Sequence, residues 1–436
     1  MAIVGYNVYL VPAGGTVDDR IKITPSPIPG PEFNYPAEFP NTEYDLRMTA
    51  VDEAGLESPL SNPVSPLPKT LEYSPGDPLS PADEAAIDAI VAASMAESKQ
   101  PGILIAVDGP RGKLTKAYGV TKLSGGRPLT IADHAWIAST TKTFTSHRVM
   151  RAVADGLLSL DDVVSTYIPS VPNGNLIKIR HLLQMRSGIY DYTQHPLVLL
   201  SMSIFPTASW NEATILSYIQ SGTPYFTPGT AYQYNNGNFV LLGLILKKIT
   251  GRYIRNMLME DTVVPLGLTE TTWPVNSSGY GVPKTPEPAA TTSQWNPDML
   301  GCAGGFTSTV TDLITWAKEL RDHTLMDETI WEQWTDLSQS FWGYAAPFRE
   351  GTPVQFGYGL GLESTGTWFG HNGSWFGAGC QAAFEKNTGA TIAVSENLQT
   401  TTSNGPVPLA AYTTIFRKVA EYLYPGSMDD QVYPQP

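Results

Sequence analysis

The chain is 436 residues long, 42% apolar and 16% charged, which excludes a disordered or collagen-like polymer and leaves material for two or three globular domains. Its formal charge of −14 excludes a phosphate-tracking nucleic-acid binder and a polybasic membrane anchor. Two cysteines, Cys302 and Cys380, can form one bridge at most, so no disulfide framework supports the fold.

Residues 1–68 read as β structure. Tyr6–Leu10 is dense in strand formers, Arg20–Thr24 alternates briefly, and Glu43–Val51 alternates apolar with polar residues before the turn signal DEAGLES. SPLSNPV then suggests a closing edge strand. The stretch EYDLRMTAVDEAGLESPLSNPV resembles the last two strands of a fibronectin type III domain, with the first two strands of that seven-strand sandwich missing; a small irregular β-module is the alternative. On that resemblance residues 1–68 are a docking module whose uncovered edge needs a neighbour, either a second copy or another protein.

Residues 69–80 lie in a proline-rich stretch, PLPKTLEYSPGDPLSPAD, and are expected to be a stiff linker. A helix is predicted from Pro81 to Ala96, with Ser80 as its N-cap, Pro81 at the first helical position and Asp83 three residues after the cap. Strands are predicted at Ile103–Val107 and Leu114–Tyr118, and residues 139–270 read as mostly helical. Cys380–Glu385 and Thr391–Ser395 flank the turn Lys386–Gly389 as a hairpin, and an amphipathic helix follows over Leu409–Leu423. This order, helix, strands, helical insert, strands and helix, implies a mixed sheet with a helical subdomain set into it, and residues 426–436 read as a tail. The best apolar run, Phe239–Leu246, is far shorter than the roughly 18–20 residues of a membrane span. The start MAIVGYNVYLVPAGG lacks the basic residues and small-residue cleavage site of a secretory signal.

The chemistry concentrates in three segments. Ser139-Thr140-Thr141-Lys142 stands at a predicted helix start, where residues three apart share a face and the helix dipole favours an oxyanion. A lysine in a dry pocket can lose its charge and serve as a base for such a serine. Tyr234-Asn235-Asn236 lies in a loop leading into an apolar helix, and His371-Asn372-Gly373 precedes the C-terminal strands. Taken singly, a surface Ser/Lys pair, a packing tyrosine and a structural histidine are the better explanations of these residues. His181, His195 and Asp191 make no recognisable metal site, and no G-x-S-x-G elbow occurs. Cys302 and Cys380 read as buried small residues.

In order, Ser-x-x-Lys, Tyr-x-Asn and His-x-Gly resemble the serine β-lactamase and penicillin-binding-protein family, in its class C β-lactamase, DD-carboxypeptidase and esterase branch. IKIRHLLQMRSGIYDY, PLGLTETTW and CAGGFTSTVTDLITWAKEL are similar to stretches of the same family, so the likeness covers about residues 81–425. It implies an α+β fold: an antiparallel sheet flanked by helices, with a helical subdomain. It also implies roles. Ser139 is the nucleophile, Lys142 hydrogen-bonds Ser139 and Tyr234, and Tyr234 relays the proton. Asn236 holds the substrate amide. His371 lines the opposite wall on the edge strand, where many members carry lysine, and Gly373 lets strand and substrate approach. The N–H groups of Ser139 and Ser374 form the oxyanion hole, and the Ser374 hydroxyl meets a substrate carboxylate. No cofactor or metal is implied.

The expected activity is that of an acyl-serine hydrolase, D-Ala-D-Ala carboxypeptidase-like, on peptidoglycan peptides or esters. The alternatives are a non-catalytic virion receptor-binding or cell-wall-adhesion protein and a cytoplasmic esterase of the same fold. A truncated fibronectin-like module, a proline-rich linker and a wall-active domain together resemble minor tail proteins of actinobacterial phages. That layout implies a virion-tail location, with residues 1–68 contacting other tail proteins or another copy.

Overall fold

The structure is a computed structural model. It describes residues 3–12, 21–22, 44–52, 77–122, 124–205, 208, 210–274, 296–337, 341–344, 355–375, 377–397 and 410–428. The chain divides into two compact units, Met1–Tyr73 and Ser74–Pro436.

In the first unit β1 (Ile3–Pro12) pairs antiparallel with β2 (Ile21–Lys22) and with β3 (Tyr44–Asp52), in the order β2-β1-β3. These are the three strands expected from the alternating runs. The register Tyr6↔Ala50 to Pro12↔Tyr44 is continuous, and it shifts between Ile3 and Gly5. The expected closing strand SPLSNPV and most of the linker lie outside the described residues.

The second unit opens with α1 (Pro81–Ser98), capped as the sequence suggests: the Ser80 hydroxyl accepts the Asp83 N–H at 3.1 Å, and Pro81 occupies the first turn. It runs two residues beyond the expected Ala96 and stops at Lys99, which adopts the left-handed conformation. β4 (Gly102–Gly109) and β5 (Gly112–Gly119) follow as a hairpin. The chain then leaves the sheet through β6 (Ala135–Trp136) and a helical half made of α2 (Thr141–Ala154), α3 (Ile179–Leu183), α4 (Pro196–Ile204), α5 (Glu212–Ser221), α6 (Asn236–Thr250) and α7 (Ile254–Leu258). It returns through β7 (Thr307–Ser308), which pairs with β6, then α8 (Val310–Asp322) and α9 (Glu328–Thr335). β8 (Phe341–Tyr344), β9 (Gln355–Tyr358), β10 (Glu363–Thr365), β11 (Trp368–Trp375), β12 (Ala378–Glu385) and β13 (Thr391–Glu396) complete the sheet before α10 (Ala411–Leu423).

The eight strands lie in the order β5-β4-β13-β12-β11-β10-β9-β8, and each described pairing between two of these strands is antiparallel. The mixed sheet inferred from element order is therefore corrected. The helical half is an excursion between β5 and β8 and not a set of crossovers between parallel neighbours. A smaller core forms where Ile87 and Val91 of α1 and Ile415, Phe416 and Val419 of α10 cover Ile103, Ile105, Ile392 and Val394 of the sheet. The larger core, on the other face, joins the sheet to α2, α6 and α8. At its centre Phe144 stacks on Trp316 with centroids 3.7 Å apart, and the Trp316 indole N–H donates to the Thr143 hydroxyl at 2.7 Å. That contact fixes α2, whose start carries the site.

Candidate active site

The Ser139 turn comes first. Ala138–Thr140 is a single 3-10 turn that runs directly into α2, so Ser139 stands just ahead of the α-helix and not within it. Ala138 has φ +43°, a left-handed conformation that L-residues tolerate poorly. Contacts on both sides hold it there. The Thr140 hydroxyl donates to the His371 carbonyl at 3.2 Å, and the Cys380 thiol donates to the Ile137 carbonyl at 3.3 Å. Gly373 packs so tightly on this turn that a Cβ at that position would lie 1.9 Å from the Ile137 oxygen. The tight approach requires glycine.

Lys142 is fully buried in the first turn of α2. Its Nζ lies 3.0 Å from Ser139 Oγ, 2.9 Å from Asn236 Oδ1 and 2.8 Å from the Ala303 carbonyl oxygen. Burial pushes its ammonium down to about 7, against the pull of the Asp191 and Glu363 carboxylates. The neutral amine has two hydrogens and one lone pair. The Asn236 and Ala303 oxygens can only accept, so they take both hydrogens. The lone pair is left facing Ser139, the one neighbour with a proton to give.

Asn236 begins α6. Asn235 is its N-cap, with its Oδ1 accepting the Gly237 N–H at 2.8 Å, and Tyr234 is the last residue before the cap. The Tyr234 side chain hydrogen-bonds Ser139, and burial lifts its phenol well above the usual range. Lys142 meets Tyr234 at the ring face, 4.8 Å from the centroid, so Ser139, not Lys142, is the partner of the phenol. Serine, lysine and tyrosine from two distant segments thus share one pocket.

β11 forms the facing wall. It was expected to be an edge strand, but it is interior to the sheet order. Because β10 pairs only Trp368–Gly370, however, no described strand pairs with the next residues, His371 to Ser374, on that side. The Asn372 N–H points that way and donates to Glu363 Oε2 at 3.0 Å. Main-chain directions alternate along a strand, so the N–H of exposed Ser374 points the same way. His371 is buried, and burial, aided by the Lys142 charge, pushes its imidazole down to about 3. Its Nδ1 contacts the Asn372 carbonyl, which can only accept, so the proton sits on Nδ1 and Nε2 accepts the Tyr358 hydroxyl at 3.2 Å. His371 is therefore neutral and cannot reproduce a lysine.

Several participants escaped the sequence reading. Asp191 is buried and accepts the Thr193 N–H at 3.1 Å, the Thr193 hydroxyl at 2.9 Å and the Asn236 N–H, and its charge acts on Lys142. Glu363 lies with its Oε1 3.6 Å from His371 Nε2, and burial lifts its carboxyl to about 7. Ala303 acts through a main-chain carbonyl, which no residue type advertises. Among the described residues no group of His, Cys, Asp or Glu could hold a metal ion, and Cys302 and Cys380 are buried free thiols. None of the described helices is long and apolar enough to cross a membrane.

The second unit is similar to known proteins over most of its length. Residues 87–411 match the family described as Beta-lactamase. A D-aminopeptidase of Brucella anthropi is 28% identical over 316 residues, 69% of this chain and 56% of the relative. A beta-lactamase of Pseudomonas fluorescens is 34% identical over 155 residues, 35% of this chain and 40% of the relative. The chain thus spans about half the length of the curated relatives it matches, or less. A solved D-stereospecific amidohydrolase from Streptomyces superposes with a TM-score of 0.63 at 27% identity, covering 78% of this chain and 98% of that one. A penicillin-binding protein from Bacillus halodurans shares the fold, with a TM-score of 0.60 at 21% identity over 77% of this chain and 99% of that one. With the serine, lysine and tyrosine gathered on this fold and most of its length matched, the chain belongs to the beta-lactamase family of serine hydrolases.

Proposed function

We propose that the chain hydrolyses D-stereospecific amides or short peptides through an acyl-enzyme on Ser139. The observation that carries this reading is the Lys142 geometry: two hydrogens spent on fixed acceptors and a lone pair aimed at the Ser139 hydroxyl. In this reading Lys142 takes the Ser139 proton as the oxygen attacks the carbonyl carbon. The N–H groups of Ser139 and Ser374 receive the oxyanion. Tyr234, held neutral by burial, gives its own phenolic proton to the amine nitrogen as the tetrahedral intermediate collapses and its C–N bond breaks, and the proton held on Lys142 restores the phenol through a water that enters the emptied site. Water then attacks the acyl-enzyme along the same proton path in reverse. Asn236, fixed by Lys142 and Asp191, presents its amide N–H to the substrate.

The substrate class rests on the β11 wall and on the relatives. A D-Ala-D-Ala carboxypeptidase binds a terminal carboxylate and calls for a cation there. Neutral His371 beside acidic Glu363 and the Tyr358 phenol offers none. The D-aminopeptidase and D-stereospecific amidohydrolase named above are similar over most of the catalytic unit, which supports amides with a free or neutral α-nitrogen over C-terminal carboxylates. Esters reach the same acyl-enzyme and remain substrates in principle. Turnover of D-phenylalaninamide, L-phenylalaninamide and a D-Ala-D-Ala peptide tests the reading. The D-amide should exceed the L-amide at least tenfold in kcat/KM and exceed the peptide as well. Preference for the L-amide or for the free-carboxylate peptide would sink it.

The location on a virion tail, with residues 1–68 as docking module, is also a proposal, supported by the layout of a β unit, a proline-rich stretch and a hydrolase unit. Purified particles probed with an antibody to residues 74–436 test it, and absence of signal contradicts it.

A further inference from the structure

Glu363 is an unusual resident of this wall. It is the first residue of β10, and the described residues just before it do not pair with β11. Its side chain crosses the gap. Oε2 is anchored by the Asn372 N–H, while Oε1 accepts no hydrogen bond among the described residues and lies 3.6 Å from His371 Nε2, a lone pair that offers no proton. The side chain as a whole retains 10% exposure. Asp191, the other acid near Lys142, already meets three donors. Glu363 is thus a carboxylate with one oxygen fixed and the other undersatisfied, next to the stretch of β11 that no described strand pairs on that side.

We infer that Glu363 Oε1 receives the α-ammonium of the substrate's D-aminoacyl residue, making it the specificity-determining residue for free over acylated amino termini. The inference rests on the D-amide reading above and extends it to the nitrogen end of the substrate. An ammonium brings the donors that this oxygen lacks and neutralises a charge that the neutral His371 cannot. The groups that act electrostatically on Glu363 are few. Lys142 of α2 and Arg417 of α10 are the cations, and His371 is neutral. The phenols of Tyr232, Tyr234, Tyr358 and Tyr412 are held protonated by burial. Burial lifts the Glu363 carboxyl to about 7, so the receptor is charged above that pH and lost below it.

The test uses the full chain and reads inhibitor binding, with no turnover of a D-amide required. D-Phenylalaninol and its N-acetyl derivative compete against hydrolysis of p-nitrophenyl acetate in wild type and Glu363→Gln. Wild type should bind the free amine at least tenfold tighter than the acetylated compound, and the variant should lose that preference. Equal preference in both proteins, or none in wild type, overturns the inference. If the variant does not fold, wild type alone decides. The preference should weaken as pH falls through about 7, by up to roughly tenfold per unit, and a flat preference between about pH 5 and 8 overturns it. Failure of the D-amide reading looks different: D-phenylalaninamide is not turned over, while the inhibitor series still reports on Glu363.

Discussion

An amine with two hydrogens and three neighbours has only one direction left for its lone pair, and at Lys142 that direction is Ser139. Replacing Lys142 with methionine removes both the base and its anchors, so acylation should fall by about 10²–10⁴-fold while the fold persists, measured as the rate of fluorophosphonate labelling alongside thermal unfolding. In wild type kcat/KM should rise with pH through about 7, because the ammonium present below that value has no lone pair to offer. A profile flat from about pH 5 to 8 would count against Lys142 as the base. Ser139, Lys142 and Tyr234 were legible because each carries its chemistry in its side-chain type and they stand at recognisable spacings. Ala303 was not, because it contributes a main-chain oxygen. Glu363 was not, because it reaches the Asn372 N–H only where β10 stops short of β11. His371 was found by its motif, but its charge state depends on burial and on the Asn372 carbonyl, neither of which its neighbours in sequence reveal.

At the scale of elements, the site is a seam between the start of α2 and the half of β11 that β10 does not pair, closed by Gly373 against the Ile137 carbonyl. Gly373→Ala must push strand and turn apart. It should cost about 1–3 kcal/mol of stability and lower acylation with it, read by denaturant unfolding and labelling rate. An alanine variant with wild-type values in both would show that the seam is looser than described. Behind α2, Trp316→Ala removes the ring stacked on Phe144 and the donor to Thr143, so a loss of about 3–5 kcal/mol is expected. The N-cap of α1 and the β12–β13 hairpin were readable locally, from Ser80-Pro81 and from Lys386–Gly389. The place of β11 was not. Its neighbours come from residues on both sides in sequence, and the length of β10 decides which of its residues are uncovered.

For the whole molecule, strands from residues 102–119 and from residues 341–396 close into one sheet around the helical excursion between them. The alternation of helix, strands, helices and strands showed that such an excursion exists, but element order alone did not distinguish antiparallel closure from a mixed sheet. Every site residue named above lies within Ser74–Pro436. A fragment of residues 74–436 should therefore fold and label at Ser139 at a rate within about twofold of the full chain, and loss of labelling would mean that the first unit contributes to the site. The most direct test of the account is peptide mapping by mass spectrometry after brief exposure of the full chain to an acyl fluorophosphonate. The account predicts one adduct, on the peptide containing Ser139, formed faster above pH 7 and abolished by Ser139→Ala. An adduct on another residue, or one that persists undiminished in the variant, would contradict it.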